Sequence, residues 1–441
     1  MNISENAEKL INLLSESGYK AYAVGGCVRD CLLGKPEKDI DITTSAKPET
    51  VEEILKQNEI KVVETGLQHG TVTAVMNGEP YEITTFRRDG EYKDNRRPES
   101  VDFVDDVKED LSRRDFTINA MAYNHKEGIV DLFGGKEDLD NKIIRAVGNA
   151  DLRFKEDALR IMRALRFSAT LCFDIEENTK KAIFNNMYLL DNIAKERIFA
   201  ELTKLLVGDN AMQVLDEYKE VIGVIIPELK PAFDCIQNNP WHIYNVYGHI
   251  IHAVDAAPKD DIIRLTMLLH DIGKPSVKTT DEKGIDHFKF HAPVGADIAK
   301  TVLKRFKVSN EIYDKVTTLI YYHQGVENVD NIRVKRWLSK IGEDYTKSLF
   351  QVRISDLYAH NPEKIGYEVE KLKALLQELE QIIAAGEAFK ISDLAVNGND
   401  LLALGYKGKE IGEKLNEILM LVVDDQLNNT RESIMNYLNE E

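Results

Sequence analysis

Two aspartates separated by one residue, Asp39 and Asp41, have a spacing suited to catalysis. Alternate residues of a strand point to the same face, so these carboxylates lie side by side while Ile40 and Ile42 face the core. Neighbouring carboxylates repel each other unless a cation lies between them. Oxygen ligands suit Mg²⁺, which shares its remaining coordination sites with phosphates. The pair predicts a two-metal site for phosphoryl or nucleotidyl transfer, against the simpler alternative of a solvated strand end.

A glycine pair precedes the aspartates in the segment VGGCVRD, residues 24–30. Glycines at a helix start let backbone N–H groups approach a triphosphate, so Gly26 is a candidate nucleotide ligand. Arg29, one turn into the predicted helix, is placed to bind a phosphate. A glycine pair alone indicates only a tight turn. A glycine pair, a helix and then a strand with two aspartates form a more specific combination.

Asp157 and Arg160 are three residues apart in a predicted helix over residues 154–171, which would make them neighbours on one face. A carboxylate accepts hydrogen bonds and a guanidinium donates them. Cytosine and adenine each present an amino donor beside a ring-nitrogen acceptor, so this pair matches C and A and opposes U and G. The alternative is an exposed ion pair worth less than about 1 kcal/mol. Arg163 and Arg166 continue at the same spacing, where either an anion or nearby acids would relieve their repulsion.

In this setting the chain resembles the class II tRNA nucleotidyltransferases, which include the CCA-adding enzymes and bacterial poly(A) polymerases. Four more motifs follow the first in the family's order: DLSRRDFTINA (110–120), DLFGG (131–135), EDALR (156–160) and ERIFAEL (196–202). The resemblance implies that Asp39 and Asp41 are catalytic and hold Mg²⁺. It also implies a set of nucleotide-binding residues: Gly26, Arg29, Arg114, Asp115, Asn119, Asp157, Arg160, Arg163 and Arg166.

The activity implied is template-independent addition of CCA to the tRNA 3′ end from CTP and ATP, with the protein selecting the base. An A-adding enzyme is the alternative within the family, and a poly(A) polymerase is more distant. The alternative from another class is a chain that acts chiefly as an HD phosphohydrolase on RNA ends, with a head that only binds tRNA. The charged, non-periodic residues 87–98 are predicted to form a loop. They resemble the flexible loop of CCA-adding and A-adding relatives, which CC-only relatives lack.

Histidine is concentrated in one part of the chain, since eight of the ten lie between His242 and His360. The segments YGH, LLHDIGK, FHAP, YYHQ and SD resemble an HD domain, a helical metal-dependent phosphohydrolase module. The resemblance implies a divalent metal of unidentified type with four ligands: His249, His270, Asp271 and Asp356. His291 and His323 would add a second metal, whereas four other histidines are expected to be structural: His242, His252, His287 and His360. The module is either a 2′,3′-cyclic phosphodiesterase or phosphatase acting on RNA ends, or an inactive core kept for tRNA support.

The helix and strand patterns around these residues predict the fold class. It is an α/β head with a mixed, polymerase-beta-like sheet, followed by an all-α neck, an HD domain and a helical tail. An Asn77-Gly78 step between two apolar strand patterns, residues 70–76 and 81–86, predicts a hairpin in the head. Helical periodicity replaces strand signals from about residue 149 onward. The predicted domains are a head (1–145), a neck (146–230), an HD domain (231–360) and a tRNA-binding tail (361–441).

Composition sets outer limits on the function. The 441 residues carry a net charge of −18, which argues against a general nucleic-acid coat and requires a local basic groove for tRNA. The chain contains no apolar run of the roughly 18–20 residues that a membrane span needs, and its N-terminus lacks a signal peptide pattern. Its four cysteines form no CxxC pair. We therefore expect a cytoplasmic enzyme whose partners are tRNA, CTP and ATP; the oligomeric state is not predicted.

Overall fold

The chain forms two compact units. The computed structural model describes residues 3–36, 39–63, 70–90, 100–324 and 331–440. The first unit comprises Met1–Val214 and Glu220–Ile225, and the second comprises Leu215–Lys219 and Ile226–Glu441. Within the described residues, every helix is too short or too polar to cross a membrane.

A seven-stranded sheet forms the framework of the first unit. The strands of this unit are β1 (Ala21–Val24), β2 (Asp41–Thr44), β3 (Lys61–Val63), β4 (Thr71–Met76), β5 (Glu79–Thr85), β6 (Arg87–Asp89), β7 (Val101–Phe103), β8 (Met121–Asn124), β9 (Gly128–Asp131), β10 (Ile143–Ile144) and β11 (Asp174–Ile175). The main sheet has the order β3-β4-β5-β2-β1-β8-β9. Strands β2 and β5 are parallel and the other neighbours are antiparallel, so the sheet is mixed, as predicted.

Helices pack on this sheet, and the last part of the first unit is mainly helical. The helices up to the unit boundary are α1 (Glu5–Glu16), α2 (Gly26–Leu32), α3 (Pro48–Gln57), α4 (Val107–Ser112), α5 (Gly135–Asp140), α6 (Ala150–Glu156), α7 (Leu159–Leu171), α8 (Glu177–Asn186), α9 (Lys195–Leu206), α10 (Ala211–Glu217) and α11 (Lys219–Ile225). Their starts follow local chemistry: Ser4 accepts a hydrogen bond from the N–H of Ala7 at 3.3 Å, and Pro48 opens α3. Tyr22 and Phe86 stack in the core of the unit with ring centroids 6.2 Å apart.

The predicted hairpin is confirmed. Strands β4 and β5 pair with Met76 opposite Glu79, so that Asn77 and Gly78 form a two-residue turn. Both turn residues have positive φ, 52° and 85°, the conformation that Asn and Gly adopt at least cost.

The structure divides one predicted helix in two. The periodicity predicts a continuous helix over residues 154–171, whereas α6 ends at Glu156 and α7 begins at Leu159. Asp157 between them has an extended backbone, with φ −134° and ψ 102°. Its carboxylate accepts a hydrogen bond from the N–H of Leu159 at 3.0 Å. The prediction is wrong here because an aspartate side chain competes with helical backbone hydrogen bonds and favours helix ends.

The second unit is almost entirely helical. Its remaining elements are α12 (Val246–Ala256), α13 (Asp261–Leu269), α14 (Lys274–Val277), β12 (Thr279–Thr280), β13 (Asp286–His287), α15 (His291–Phe306), α16 (Asn310–Tyr322), α17 (Asn331–Ile341), α18 (Glu343–Tyr358), α19 (Pro362–Ala384), α20 (Gly398–Ala403), α21 (Lys409–Val423) and α22 (Arg431–Glu440). One apolar cluster joins α17, α18 and α19, and another joins α20, α21 and α22. The predicted fold class, an α/β head followed by helices, is confirmed. The division into four domains stays a prediction.

Candidate active sites

Three carboxylates interact electrostatically near the start of β2. Asp41 is the first residue of this strand and reaches solvent, whereas the following Ile42 is buried; Asp39 lies just before the strand. In the parallel pairing of β2 with β5, Asp41 is opposite Glu82. Partial desolvation raises the pKa of Asp41, the charge of Arg114 opposes this shift, and the neighbouring Glu82 and Asp39 add to it. Nearby carboxylates that disfavour the ionised form of Asp41 are an environment that a divalent cation would relieve.

Sequence reasoning missed Glu82. Its position between buried Tyr81 and Ile83 shows only that it faces away from the core. Its place beside Asp41 depends on the pairing of strands that are not consecutive, and no local pattern in the sequence gives that pairing.

Arg114 is held near these carboxylates by a buried acid. Asp110 is fully buried and accepts hydrogen bonds from Arg113 at 2.8 Å and from Arg114 at 3.5 Å. Burial would raise the pKa of Asp110, but the two guanidinium groups outweigh it and lower the pKa. A Cβ on Gly25 would lie 2.8 Å from Nη1 of Arg114, and Gly25 has φ +84°. The close approach therefore requires glycine at position 25, next to the predicted Gly26 at the start of α2.

A chain of hydrogen bonds links four of the predicted nucleotide-binding residues. Arg29 donates to Asn119 at 2.6 Å, and Asn119 donates to Asp115 at 3.1 Å. Arg163 of α7 donates to the other oxygen of Asp115, from Nη2 at 2.6 Å and from Nε at 2.8 Å. Burial opposes the charge of Asp115, but the attraction of Arg163 and these hydrogen bonds outweigh it and lower the pKa to about 2. These contacts thus join the DLSRRDFTINA motif to α7, the helix that carries Arg163 and Arg166.

Three of the arginines surround one aromatic ring. The guanidinium carbons of Arg29, Arg163 and Arg166 lie 5.0, 5.3 and 4.2 Å from the centroid of Phe167. Arg166 also pairs with buried Glu201 at 3.2 Å, so an acid and a π-face already balance its charge. Of the two explanations for Arg163 and Arg166, pairing with nearby acids is the one observed, and a role in nucleotide binding stays a prediction.

Asp157 and Arg160 do not lie on one continuous helix, because Asp157 lies in the break between α6 and α7. Asp157 instead accepts a hydrogen bond from Arg197 at 3.1 Å. Arg160 is buried and donates to the carbonyl of Arg113 at 2.9 Å and to Glu156 at 2.6 Å. Arg197 lies in the ERIFAEL motif, so the motif indicated its neighbourhood but not its partner. The predicted helix-face geometry is wrong, whereas both residues still lie in one region of the first unit.

The loop predicted over residues 87–98 is partly a strand. Residues Arg87–Asp89 form β6, which pairs antiparallel with β7. Residues 91–99 lie outside the described part of the chain.

A cluster of histidines lies in the second unit. In four of them the Nδ1 atom is hydrogen-bonded to a backbone carbonyl. His249 contacts the carbonyl of Ala359 at 3.2 Å, His270 that of Met267 at 2.7 Å, His291 that of Phe288 at 2.8 Å and His323 that of Ile320 at 2.6 Å. A donating Nδ1–H leaves the Nε2 lone pair free for a metal, and metal-binding histidines are commonly oriented in this way. All four rings are buried, so water does not solvate these lone pairs.

The Nε2 atoms converge on two carboxylates. Nε2 of His249 lies 2.9 Å from Asp356, 3.3 Å from Oδ2 of Asp271 and 3.3 Å from Nε2 of His270. On the other side, Oδ1 of Asp271 lies 3.2 Å from His291, whose Nε2 is 3.1 Å from that of His323. Asp271 therefore contributes one oxygen to each of two ligand groups. The six predicted ligands meet in one place.

The histidines of this cluster differ in protonation. Burial lowers the pKa of His249 and of His323 to about 4, so both are neutral at pH 7. Burial disfavours a charge on His270 as well, but the carboxylates of Asp271 and Asp356 outweigh it and raise the pKa to about 10, so a metal bound there would displace the Nε2 proton of His270. Imidazole and carboxylate together are ligands for several divalent metals. The donor set fits one or two such ions, with Asp271 between them.

Two histidines expected to be structural belong to the same neighbourhood. The rings of His242 and His360 lie 5.2 and 4.8 Å from that of His249, and with it they form a third group able to bind a metal. His252 and His287 have local partners, Tyr244 and Asp281. The spacing of His242 and His360 in the sequence gave no signal of this placement.

A cavity of about 1230 Å³ opens beside the cluster. Its wall includes metal-ligand candidates, two buried cations and several aromatic rings: Asp271, His291, His323, Asp356, Lys274, Arg353, Trp241, Phe290 and Tyr321. A site of this size, with cations and candidate ligands at its wall, has room for a phosphate ester.

Known proteins resemble the chain over its whole length. Family models match at residues 21–145 (poly A polymerase head domain), 172–233 (probable RNA and SrmB-binding site of polymerase A) and 279–438 (tRNA nucleotidyltransferase domain 2, putative). The CCA-adding enzyme of Oceanobacillus iheyensis is 36% identical over 98% of this chain and 96% of its own. That of Enterococcus faecalis is 34% identical over 99% and 96%. The crystal structure of Bacillus stearothermophilus CCA-adding enzyme in complex with CTP superposes with a TM-score of 0.74, at 31% identity over 98% and 96% of the two chains. With a matching sheet, matching helices and full-length identity above 30%, the chain belongs to the CCA-adding tRNA nucleotidyltransferase family.

Proposed function

We propose that the first unit adds CCA to the 3′ end of tRNA, using CTP and ATP and no nucleic-acid template. Family membership over the full length supports this activity. The observation that carries the proposal is the group of three carboxylates, Asp39, Asp41 and Glu82, beside the guanidinium of Arg114. Nucleotidyl transfer needs this combination of an acidic cation site and a fixed positive charge for the triphosphate.

Different residues of the chain would bind the metal, the triphosphate and the rest of the nucleotide. Bound Mg²⁺ would assist loss of the proton from the tRNA 3′-OH and neutralise charge on the triphosphate. Asp39, Asp41 and Glu82 would hold the metal. Arg114, kept in place by Asp110, interacts electrostatically with Asp41 and would bind the phosphates. Arg29 and Asn119 would fix the rest of the nucleotide through the hydrogen-bond chain to Asp115.

Base selection is assigned to Asp157 and Arg160. A carboxylate that accepts from an amino group and a guanidinium that donates to a ring nitrogen match C and A alike. Each group has its own support, Arg197 for Asp157 and Glu156 for Arg160, so the two edges would be presented by separately fixed side chains.

The test uses three tRNA transcripts, ending before CCA, after C and after CC, each incubated with the protein, Mg²⁺, CTP and ATP. We expect extension of all three to CCA, and no incorporation by an Asp41→Ala variant. Extension of the CC-ended transcript alone would identify an A-adding enzyme instead. Full incorporation by Asp41→Ala would show that the assigned carboxylates are not the catalytic ones.

For the second unit we propose a metal-dependent phosphohydrolase activity on phosphate esters at RNA ends. The observation that favours it is the set of four buried imidazoles with Nδ1 bonded to backbone carbonyls and Nε2 facing Asp271 and Asp356. A divalent metal bound there would lower the pKa of a water molecule and bind the substrate phosphate. Lys274, whose Nζ lies 2.6 Å from Asp271, would supply a further positive charge.

Metal content separates this proposal from an inactive core. We expect the purified protein to bind one or two divalent ions per chain by elemental analysis, and His249→Ala to lose most of them. His252→Ala is the matched control, because His252 lies on the same helix but stacks on Tyr244. Equal metal content in both variants would rule out the assigned ligands. Metal binding without hydrolysis of 2′,3′-cyclic AMP would leave a structural metal site.

A further inference from the structure

The phenyl ring of Phe167 is a contact that three of the predicted nucleotide-binding arginines share. The guanidinium carbons of Arg29, Arg163 and Arg166 lie 4.2 to 5.3 Å from its centroid. Cations within about 6 Å of a ring centroid are attracted to the π-face, and the attraction is greatest where water is excluded. Phe167 is 7% exposed, so these contacts belong to the stronger kind. They bring together residues of two helices, α2 and α7.

Packing sets the orientation of this ring. Phe116 of the DLSRRDFTINA motif is fully buried and packs edge-to-face against Phe167, with centroids 5.8 Å apart and planes at 85°. Arg163 is four residues before Phe167, which makes the two side chains neighbours on one face of α7. Buried side chains packed in this way occupy defined rotamers. The ring therefore has a set position relative to both the motif and the helix.

The three guanidinium groups disfavour one another's charge. Burial lowers the pKa of Arg166, Glu201 opposes this shift, and the charges of Arg163 and Arg29 add to it. A phenyl ring carries no net charge, so it attracts all three cations without neutralising the positive charge that a bound anion needs. Each arginine also has one acidic partner within 3.2 Å: Asp30 for Arg29, Asp115 for Arg163 and Glu201 for Arg166.

The ring also contacts both ends of the hydrogen-bond chain that joins predicted nucleotide-binding residues. Arg29 lies one turn into α2, where a Cβ on Gly26 would be 3.6 Å from its Nη2. Its Nη1 donates to Asn119, which donates to Asp115, the partner of Arg163. Arg29 and Arg163 are thus joined twice, through this chain and through the ring. A displaced ring would shift both guanidinium groups relative to the glycine turn.

We propose that Phe167 is a positioning residue for the nucleotide, whose ring holds Arg29, Arg163 and Arg166 at the spacing that binds the ribose and triphosphate common to CTP and ATP. The assignment rests on the nucleotidyl transfer proposed for the first unit and adds a residue to that site. Phe167 acts through the arginines and does not touch the reacting atoms. Because CTP and ATP share the ribose and the triphosphate, its effect on the two nucleotides should be equal.

Fluorination of the ring distinguishes a π-contact from ordinary packing. Fluorine withdraws negative charge from the π-face and changes the volume of the ring only slightly. With 4-fluorophenylalanine and then 3,4,5-trifluorophenylalanine in place of Phe167, the Kd of CTP is measured by calorimetry with Mg²⁺ and without tRNA. We expect the Kd to rise in steps, by about ten-fold for the trifluorinated ring, and the Kd of ATP to rise equally.

Phe154 provides the matched control for this series. It is fully buried in α6, and among the described residues no cation lies over its ring. The same fluorinated residues at position 154 should leave the Kd of CTP unchanged. An unchanged Kd in the Phe167 series, or an equal rise in both series, would overturn the proposal.

Steady-state kinetics extend the test to the reaction. Phe167→Leu keeps an apolar side chain and removes the ring, so we expect it to raise KM for CTP and for ATP alike by about ten-fold, with a smaller change in kcat. The ratio of CMP and AMP incorporation to UMP and GMP incorporation should stay at the wild-type value. Altered base choice, or a loss confined to kcat, would contradict a role through the shared arginines. If Phe167→Leu lowers the melting temperature, the fluorinated series, which preserves packing, decides.

Inorganic tripolyphosphate identifies the group that the arginines contact, because it has the three phosphates and lacks the sugar and the base. A rise in its Kd parallel to that of CTP along the fluorinated series assigns the arginines to the triphosphate. An unchanged Kd for tripolyphosphate, with that of CTP raised, assigns them to the ribose. Both results support the positioning role.

Binding and incorporation together distinguish the failure of this proposal from the failure of nucleotidyl transfer. Incorporation by the wild type, with a Kd that fluorination leaves unchanged, overturns only the role of Phe167. Binding of CTP and ATP that responds to fluorination, without incorporation into any of the three tRNA transcripts, overturns only the transfer activity. A wild type that binds neither nucleotide overturns both.

Discussion

At the scale of single residues, Glu82 completes a cation site that the two aspartates only begin. Its carboxylate is opposite Asp41 in the strand pairing and contributes to the raised pKa of that residue. We expect Glu82→Gln to lower kcat for CMP and AMP incorporation by about a hundred-fold, as for the loss of one electrostatic contact at a reaction centre. Glu79→Gln, on the same strand and opposite Met76, should retain activity. Single-turnover rates with saturating CTP and ATP measure both, and equal rates would remove Glu82 from the site.

Arg197 is a positioning residue for base choice. It donates to Asp157, whose other oxygen accepts from the N–H of Leu159, so the carboxylate is fixed from two sides. We expect Arg197→Ala to raise misincorporation of UMP and GMP relative to CMP and AMP by about ten-fold. Overall incorporation of the correct nucleotides should change less. Lys204→Ala, at an exposed position on the same helix, is the control. A uniform loss with all four nucleotides would indicate a structural role only.

At the scale of elements, the ion pair between Asp115 and Arg163 links the DLSRRDFTINA motif to α7. Its pKa of about 2 lies below the unfolded value of 3.8, so the ionised group stabilises the fold above pH 4, and this contribution is lost as the pH falls towards 2. The shift corresponds to about 2 kcal/mol. We expect Asp115→Asn to lower the free energy of unfolding by about that amount at pH 7. The difference from wild type should shrink between pH 4 and pH 3 in urea titrations. A constant difference would contradict the assigned pKa.

A comparison of the predicted and observed elements shows which features the sequence could predict. The hairpin at Asn77 and Gly78 was predictable, since turn chemistry is a local property. The break at Asp157 was not, because the apolar spacing continues through it while one side-chain hydrogen bond ends the helix. Glu82 and Arg197 depend on strand pairing and helix packing between segments distant in the sequence. Motif resemblance located the region of Arg197 but not that of Glu82, and only tertiary contacts gave their partners.

At the scale of the whole molecule, the two candidate sites are separate. The carboxylates and arginines of the proposed nucleotidyl transfer lie in the first unit, and the six candidate metal ligands of the histidine cluster lie in the second. The net charge of −18 therefore says little about either site, because local cations decide each of them. Asp110 and Asp115 hold arginines in place at the first site, while Asp271 and Asp356 face the imidazoles at the second. These acidic residues near the two sites hold cations or candidate metal ligands in position.

Because the groups proposed for the two reactions lie in different units, loss of one activity should leave the other intact. We expect Asp41→Ala to abolish nucleotide incorporation and keep hydrolysis of 2′,3′-cyclic AMP, and His270→Ala to do the reverse. A one-to-one mixture of the two variants should regain both activities at about half the wild-type rate per chain, since each site acts without the other. The double variant should have neither activity. If His270→Ala also lowered incorporation by ten-fold while its melting temperature stayed unchanged, the histidine cluster would be serving tRNA handling, and the independent phosphohydrolase role would be wrong.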